Sequence, residues 1–410
     1  MPNSQKKWTV MVYLAGDNNL DANGIDDLKE MKTVGTTANV NVIAQFDRAG
    51  AGVQTTRYCL QKGTSTEADA VESIGETNTG SPEGLIDFIT WGVKNYPADH
   101  YLLVLWNHGQ GWDDTDIYAG ERGAGARLGR PRRIRHSLFK TSVVKAAKLT
   151  AQGGKVARAI LLDDNAKDFL DNLEMKQVVA EANHLIGHKL DILGMDACLM
   201  NMAEVAYQVR ESVQYTVGSE QTEPLDGWPY DTILQALSAK PDMAPSALCE
   251  LIVKHYLASY KGSSEAVTQS AMDLATTTAF AGAWKTMASA LKAGLKNSTT
   301  RAAIVTVRNQ VQEYDVPDNV DVIDLCRLLK AAAVSSTIKS ACDRVVKAVE
   351  GAPGLVLASG YSGAPMKGSH GVALYFPTRT VSPLYANLDF TKKTGWGTFL
   401  KQYLLATRGS

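Results

Sequence analysis

Short, wholly apolar runs alternate with amphipathic stretches through the first half of the chain. Residues 8–15 (WTVMVYLA) form one such run and predict a strand, with Gly16-Asp17-Asn18-Asn19 as the turn after it. Residues 20–33 carry helical spacing, residues 40–47 (VNVIAQFD) predict a second strand, and residues 55–62 alternate as an edge strand does. Ser81-Pro82-Glu83 opens a helix with a capping serine, a first-turn proline and an acid near the positive end of the dipole; Pro97 ends it. HYLLVLWN (100–107) is a continuous apolar run of the kind found in parallel strands covered on both faces. A helix at 173–187, a strand at 190–195 (LDILGM), a helix at 200–211 and a strand at 213–219 follow. This alternation predicts a doubly wound α/β sheet whose chemistry sits at the C-terminal ends of its strands. Beyond about residue 230 the pattern is mainly helical, with strand-like stretches at 265–273, 353–359 and 371–376.

Between the two halves, residues 113–158 lose all periodicity apart from a helical stretch near 141–149. A connection of that length inside a compact domain is usually functional or disordered. It is also where composition changes the picture. The 410 residues are 45% hydrophobic and 21% charged, with 42 Lys and Arg against 43 Asp and Glu, which is ordinary for a globular protein. Yet Arg122, Arg127, Arg130, Arg132, Arg133, Arg135, Lys140, Lys145, Lys148, Lys155 and Arg158 lie in one segment that has no acid. Without those 11, the remainder has 31 basic residues against 43 acidic ones, so a net charge of −1 conceals a body of −12. Phe139 is the segment's one aromatic residue, so stacking on single-stranded nucleic acid is not expected. No apolar run reaches eighteen residues and the opening MPNSQKKW lacks a signal-peptide core, so we expect a cytoplasmic protein without membrane contact, secreted only if a leader has been removed.

The candidate chemistry lies at two strand ends. HYLLVLWN runs into His108-Gly109, and LDILGM runs into Asp196-Ala197-Cys198. On neighbouring parallel strands these place an imidazole beside a thiol, the pair needed for nucleophilic catalysis. Gly109 leaves its backbone N–H open to an oxyanion. A helix starting at residue 200 would favour the Cys198 thiolate through its dipole. A buried structural cysteine and a hydrogen-bonded core histidine are the other reading of the same residues. Among five cysteines (Cys59, Cys198, Cys249, Cys326, Cys342) no zinc or disulfide spacing occurs. His184 and His188 have helical metal spacing without HExxH and fit a helix C-terminus instead. Asp163, Asp164, Asp168 and Asp171 lack the alternation and glycine of a calcium loop, and Gly123-Ala124-Gly125 lacks the strand and GK[ST] of a nucleotide loop.

Five segments, VYLAGDNNL (12–20), YLLVLWNHGQGW (101–112), MDACLMNMAEVAYQV (195–209), SEQTEPLDGWPYDTIL (219–234) and HGVALYFP (370–377), resemble the clostripain family of cysteine peptidases, in the clan of caspases, gingipains and legumain. The resemblance implies a caspase-like α/β/α sandwich with a mainly parallel central sheet. Residues 1–112 would end in the catalytic His, 113–158 would be an activation linker, 159–240 would carry the nucleophile, and 241–410 would form a helical subdomain completing the sheet. It further implies His108 and Cys198 as a catalytic dyad acting through a thioester acyl-enzyme, with the N–H groups of Gly109 and Cys198 as oxyanion hole. Family members cleave after Arg or Lys, which requires carboxylates in the pocket; Asp196 and Asp226 are the candidates, with Glu220 and Glu223 after them. Members are also processed in the corresponding linker into two chains that stay associated. Arg122, Arg127, Arg130, Arg132, Arg133 and Arg135 are then candidate cut sites, for the enzyme itself or for an upstream protease. The expected partners are proteins or peptides with Arg or Lys before the scissile bond. The chemistry needs no cofactor or metal, although a calcium requirement is compatible with the resemblance. A catalytically idle scaffold of the same fold is the competing expectation.

Overall fold

The computed structural model describes residues 5–50, 52–113 and 160–408. The basic segment, with its candidate cut sites and the helical stretch near 141–149, lies outside them. Five parallel strands form the centre: β1 (Lys6–Gly16), β2 (Val40–Arg48), β5 (Ala98–Trp106), β8 (Leu190–Asp196) and β9 (Val213–Gly218). Antiparallel strands extend both edges, β3 (Thr56–Cys59) and β4 (Ala70–Ser73) beyond β2, β10 (Val267–Asp273) and β12 (Val356–Ser362) beyond β9. The nine-stranded order is β12-β10-β9-β8-β5-β1-β2-β3-β4. Two small antiparallel pairs stand apart: β6 (Ile160–Asp163) with β7 (Asp168–Leu170), and β11 (Asn319–Asp321) with β13 (Ala373–Tyr375). The strand expected at 371–376 is therefore β13, outside the main sheet.

The strand order fixes where the helices go. From β1 the chain moves outward to β2 and then crosses back past β1 to β5, β8 and β9. Right-handed crossovers put the helix of the first connection on one face and those of the later connections on the other. Contacts agree: helix Asp21–Val34 packs on Tyr230–Ala239, whereas Pro82–Asn95 packs on Asn172–Ile186 and that helix on Ala203–Val209. The reversal of direction between β1 and β5 opens the crevice in which doubly wound sheets bind ligands.

Local signals behave as their chemistry requires. Ser81 Oγ accepts from the Gly84 N–H (3.1 Å), and Asp171 with Glu174 forms a full capping box on helix Asn172–Ile186. That helix ends at Gly187, which takes the left-handed conformation, so His188 falls outside it and no longer shares a helical face with His184. Every residue of β5 from Tyr101 to Trp106 is buried, as is all of β8. In the C-terminal third, Trp396 meets Trp284 edge-on at 5.0 Å and Phe376 at 5.3 Å, joining the helical part to the sheet through one core. Among the described residues no helix is long and apolar enough to cross a membrane.

Candidate active site

The register of β5 against β8 sets the geometry. Leu102 lies level with Ile192 and Trp106 with Asp196. The Asn107 N–H donates to the Asp196 carbonyl (3.3 Å), and His108 and Cys198 each follow two residues beyond the last paired level. Both are buried, Cys198 at 0% and His108 at 2% exposure.

His108 is held from the β1 side. Asn19 Oδ1 lies 2.9 Å from His108 Nε2 and can only accept, which keeps the proton on Nε2. Burial pushes the imidazole down to about 3, so it is neutral in this state. The preceding residue is a clamp: Asn107 Nδ2 donates to the carbonyls of Ala15 and Leu162, and Asn107 Oδ1 accepts from the N–H groups of His108 and Leu162. Asn18 Nδ2 repeats the link, donating to Ala15 (2.9 Å) and Leu162 (2.9 Å) carbonyls. Strand β6, through Leu162, is thus fastened to the histidine loop.

Cys198 sits in a loop braced on two sides. The Leu199 N–H donates to the Gln221 carbonyl (3.1 Å), the Asn201 N–H to Ser219 (3.0 Å), and the Ala373 N–H of β13 to Asn201 (3.1 Å). Leu199 takes a positive φ of 62°, and the helix begins only at Ala203, not at 200. The thiol is therefore set off from the helix dipole, and burial raises it well above its ordinary value instead of favouring the thiolate. The Glu223 N–H donates to Sγ (3.2 Å), and the thiol faces the Glu223 carbonyl at 3.9 Å. Gly109 packs directly on this loop, where an added Cβ would lie 2.7 Å from the Cys198 carbonyl oxygen and 2.8 Å from Ala197 Cβ.

The acids around the thiol are separated by depth. Asp196 is fully buried; Tyr230 Oη (2.8 Å) and the Trp228 N–H (3.4 Å) donate to its Oδ2, while Oδ1 has no hydrogen-bond partner. Its carboxyl is raised to about 6 by burial. It does not cap helix Ala203–Val209, whose N-cap is Met202. Glu223 is fully buried too, and its carboxyl interacts with the Asp196 carboxyl, Trp228 and Gln269. Burial and the charge of Asp196 raise it well above the carboxylate range. Farther out, Asp27 accepts from Trp106 Nε1 (2.6 Å), and Glu30 is raised to about 7 by burial and Asp231. Asp226 lies at the rim of this group: the Pro224–Gly227 turn leaves it exposed, next to exposed Leu225, and its charge acts with that of Asp196 on Glu30 and Tyr260. Glu220 faces away, accepting from Tyr314 Oη (2.5 Å) and the Gly371 N–H (3.2 Å). Asn19, Asn107 and the inward turn at Glu223 carried no distinctive signal in the sequence, because asparagine and glutamate in loops are commonplace.

A family model described as the clostripain family matches residues 12–125 and 145–403. Clostripain of Hathewaya histolytica is 29% identical over 263 residues, covering 58% of this chain but only 43% of clostripain, so the chain spans less than half the length of that curated relative. Two solved structures align over nearly the whole chain. One is a secreted C11 cysteine protease from Bacteroides thetaiotaomicron in complex with an irreversible peptide inhibitor (18% identity, TM-score 0.64, 97% of this chain and 99% of that one). The other is an inactive zymogen C11 protease from Parabacteroides distasonis (21% identity, TM-score 0.63, 96% of this chain and 99% of that one). Both are alike in fold.

Gly109→Ala tests the packing of the two loops. Its Cβ meets the Cys198 carbonyl oxygen and Ala197 Cβ, which cannot swing aside, as well as Met200 Cγ, so about 1–3 kcal/mol of stability is expected to be lost in urea unfolding. Gly282→Ala, in open space within helix Thr277–Gly294, should instead gain about 0.5–1 kcal/mol.

Proposed function

This chain belongs to the clostripain family, and from that premise we propose that it is a cysteine endopeptidase cleaving after arginine or lysine. The reading is supported by the register that ends β5 and β8 at one level, with His108 and Cys198 each two residues beyond it, and by the buried carboxyls of Asp196 and Glu223 near the thiol.

Cys198 Sγ attacks the carbonyl carbon of the scissile bond as its proton passes to His108. The developing oxyanion is held by the N–H groups of Gly109 and Cys198. His108 returns the proton to the leaving nitrogen, the C–N bond breaks and a thioester remains. Water then attacks this thioester, giving its proton to His108; the acid product leaves and the thiol is restored. Asn19 acts as a positioning residue, holding Nε2 so that Nδ1 exchanges the proton with sulfur.

Specificity follows from charge. An unpaired buried carboxylate is costly, and removing its only partner costs about 3–5 kcal/mol in measured cases. Among the described residues, no lysine or arginine is among the groups acting on Asp196 and Glu223. A substrate guanidinium or ammonium would supply that missing partner. Glu223 is then a further carboxyl buried beside Asp196, with Asp226 at the exposed rim of the same pocket. The buried thiol and neutral imidazole suit a precursor whose centre is shut. Cleavage in the basic segment, at one of Arg122, Arg127, Arg130, Arg132, Arg133 or Arg135, would then open it, leaving two associated chains.

Asp196→Asn and Glu223→Gln are each expected to raise KM for an arginyl peptide amide about 10- to 100-fold, the value of a charge-assisted hydrogen bond, with smaller effects on kcat. Because Asp196 is raised to about 6, its protonation below that pH removes the attraction, so KM should climb as pH falls through 6. A KM indifferent to both substitutions would contradict the pocket assignment. Intact-mass measurement tests processing: active protein runs as two fragments and Cys198→Ala as one chain. Processing of purified Cys198→Ala would exclude self-cleavage in favour of an upstream protease.

A further inference from the structure

Glu220 and the His370-Gly371 pair take no part in the pocket, yet they meet directly behind the nucleophile. The Cys198 loop runs between two walls. On one side the Ser219 and Gln221 carbonyls accept from the Asn201 and Leu199 N–H groups (3.0 and 3.1 Å). On the other, Asn201 Nδ2 donates to the Gly371 carbonyl (2.9 Å) and the Ala373 N–H donates to the Asn201 carbonyl (3.1 Å). Glu220 crosses from the first wall to the second: its own N–H donates to Thr268 Oγ1 of β10 (3.0 Å), and its Oε2 accepts from the Gly371 N–H (3.2 Å). Tyr314 Oη reaches both Glu220 Oε1 (2.5 Å) and Asp321 Oδ2 (3.3 Å). Asp321, fully buried at the start of helix Val322–Ala331, accepts in addition from the N–H groups of His370 and Asp324 (2.7 Å each), with His370 Nδ1 at 3.1 Å.

We propose that Glu220 is a positioning residue for Cys198, tying the 219–221 wall of the nucleophile loop to Gly371 while Tyr314 and Asp321 hold it from the C-terminal third; the inference builds on the peptidase reading above. Leu199 shows why the walls matter. Its φ of 62° is costly for a leucine and persists where the surroundings impose it. The imposing bonds are those of Leu199 and Asn201 to the two walls, and Glu220 is the side chain that spans from one wall to the other. Burial and the charge of Asp321 raise Glu220 well above the carboxylate range, so it keeps its proton at neutral pH. A protonated carboxyl can donate to Asp321 while it accepts from Tyr314 and Gly371, and it sets no second charge beside Asp321. The C-terminal third thereby acts on the reaction without touching substrate: it fixes where the sulfur stands, and a displacement of about 1 Å at a reacting atom can cost about 100-fold in rate.

The test compares Glu220→Ala with Glu220→Gln, whose amide is neutral and can still donate and accept. The first arm uses full-length His108→Ala, which keeps the thiol but lacks its proton-transfer partner, so the outcome is independent of peptidase activity. Alkylation of Cys198 by iodoacetamide, followed by peptide mass spectrometry, should speed up at least about tenfold in Glu220→Ala as the loop loosens, and stay within about twofold of the parent in Glu220→Gln. The second arm uses processed protein with His108 in place. Glu220→Ala should lower kcat for an arginyl peptide amide about 10- to 100-fold with KM near the parent value, and Glu220→Gln should restore most of kcat. Tyr314→Phe removes a single hydroxyl and should move both readouts the same way by less, which decides the matter if Glu220→Ala does not fold. Parent-like labelling and kcat in Glu220→Ala and Tyr314→Phe would overturn the positioning role, and so would a Glu220→Gln variant as impaired as Glu220→Ala. A parent without peptidase activity would sink the peptidase reading alone, since the labelling arm still decides whether Glu220 holds the loop.

Discussion

β5 is paired in parallel on both edges, and the rest of the molecule's chemistry hangs on that register. Leu14 of β1 and Asp196 of β8 both lie level with Trp106. Beyond this shared level, three chains leave the sheet together, carrying Asn18-Asn19, Asn107-His108 and Ala197-Cys198. A slip of one residue would turn every side chain of β5 to the opposite face. Tyr101–Trp106 are buried, so the sheet has little freedom to slip. The apolar core thereby fixes the relative height of a histidine and a cysteine that are remote in sequence.

The second governing feature is the segregation of charge. Asp27, Asp196 and Glu223 lie buried on the β8 side of the crevice, and Asp17, Asp47 and Asp163 on the β2 side. Burial and mutual repulsion raise these carboxyls, so the folded protein keeps protons there that an exposed acid would release. The chain's own surplus of cations is concentrated between Arg122 and Arg158, in the connection that joins the histidine half to the cysteine half. Near-neutrality is the sum of two opposed regions.

The strand ends bearing His108 and Cys198 were legible in the sequence because continuous apolar runs mark strands buried on both faces, and whatever follows such a run emerges at the sheet's edge. Asp196 was legible for the same reason. Glu223 and Asp226 were not distinguishable, since only the turn at Pro224–Gly227 decides which points inward. The helix after Cys198 starts late because Leu199 takes a left-handed conformation and Asn201 pairs with Ala373, a tertiary contact that helical spacing does not record. For the same reason the HGVALYFP segment contributes β13, behind the nucleophile loop, and leaves the main sheet.

Cation-directed cleavage is the central claim, and a matched pair of substrates tests it most directly. Two fluorogenic peptides differing only in arginine or citrulline before the scissile bond keep shape and hydrogen-bonding length while removing the charge. If Asp196 and Glu223 read that charge, kcat/KM measured with processed protein at pH 7.5 should favour arginine by at least about 100-fold, the worth of two charge-assisted contacts at the low end of their range. Equal kcat/KM values for the two peptides would contradict the account.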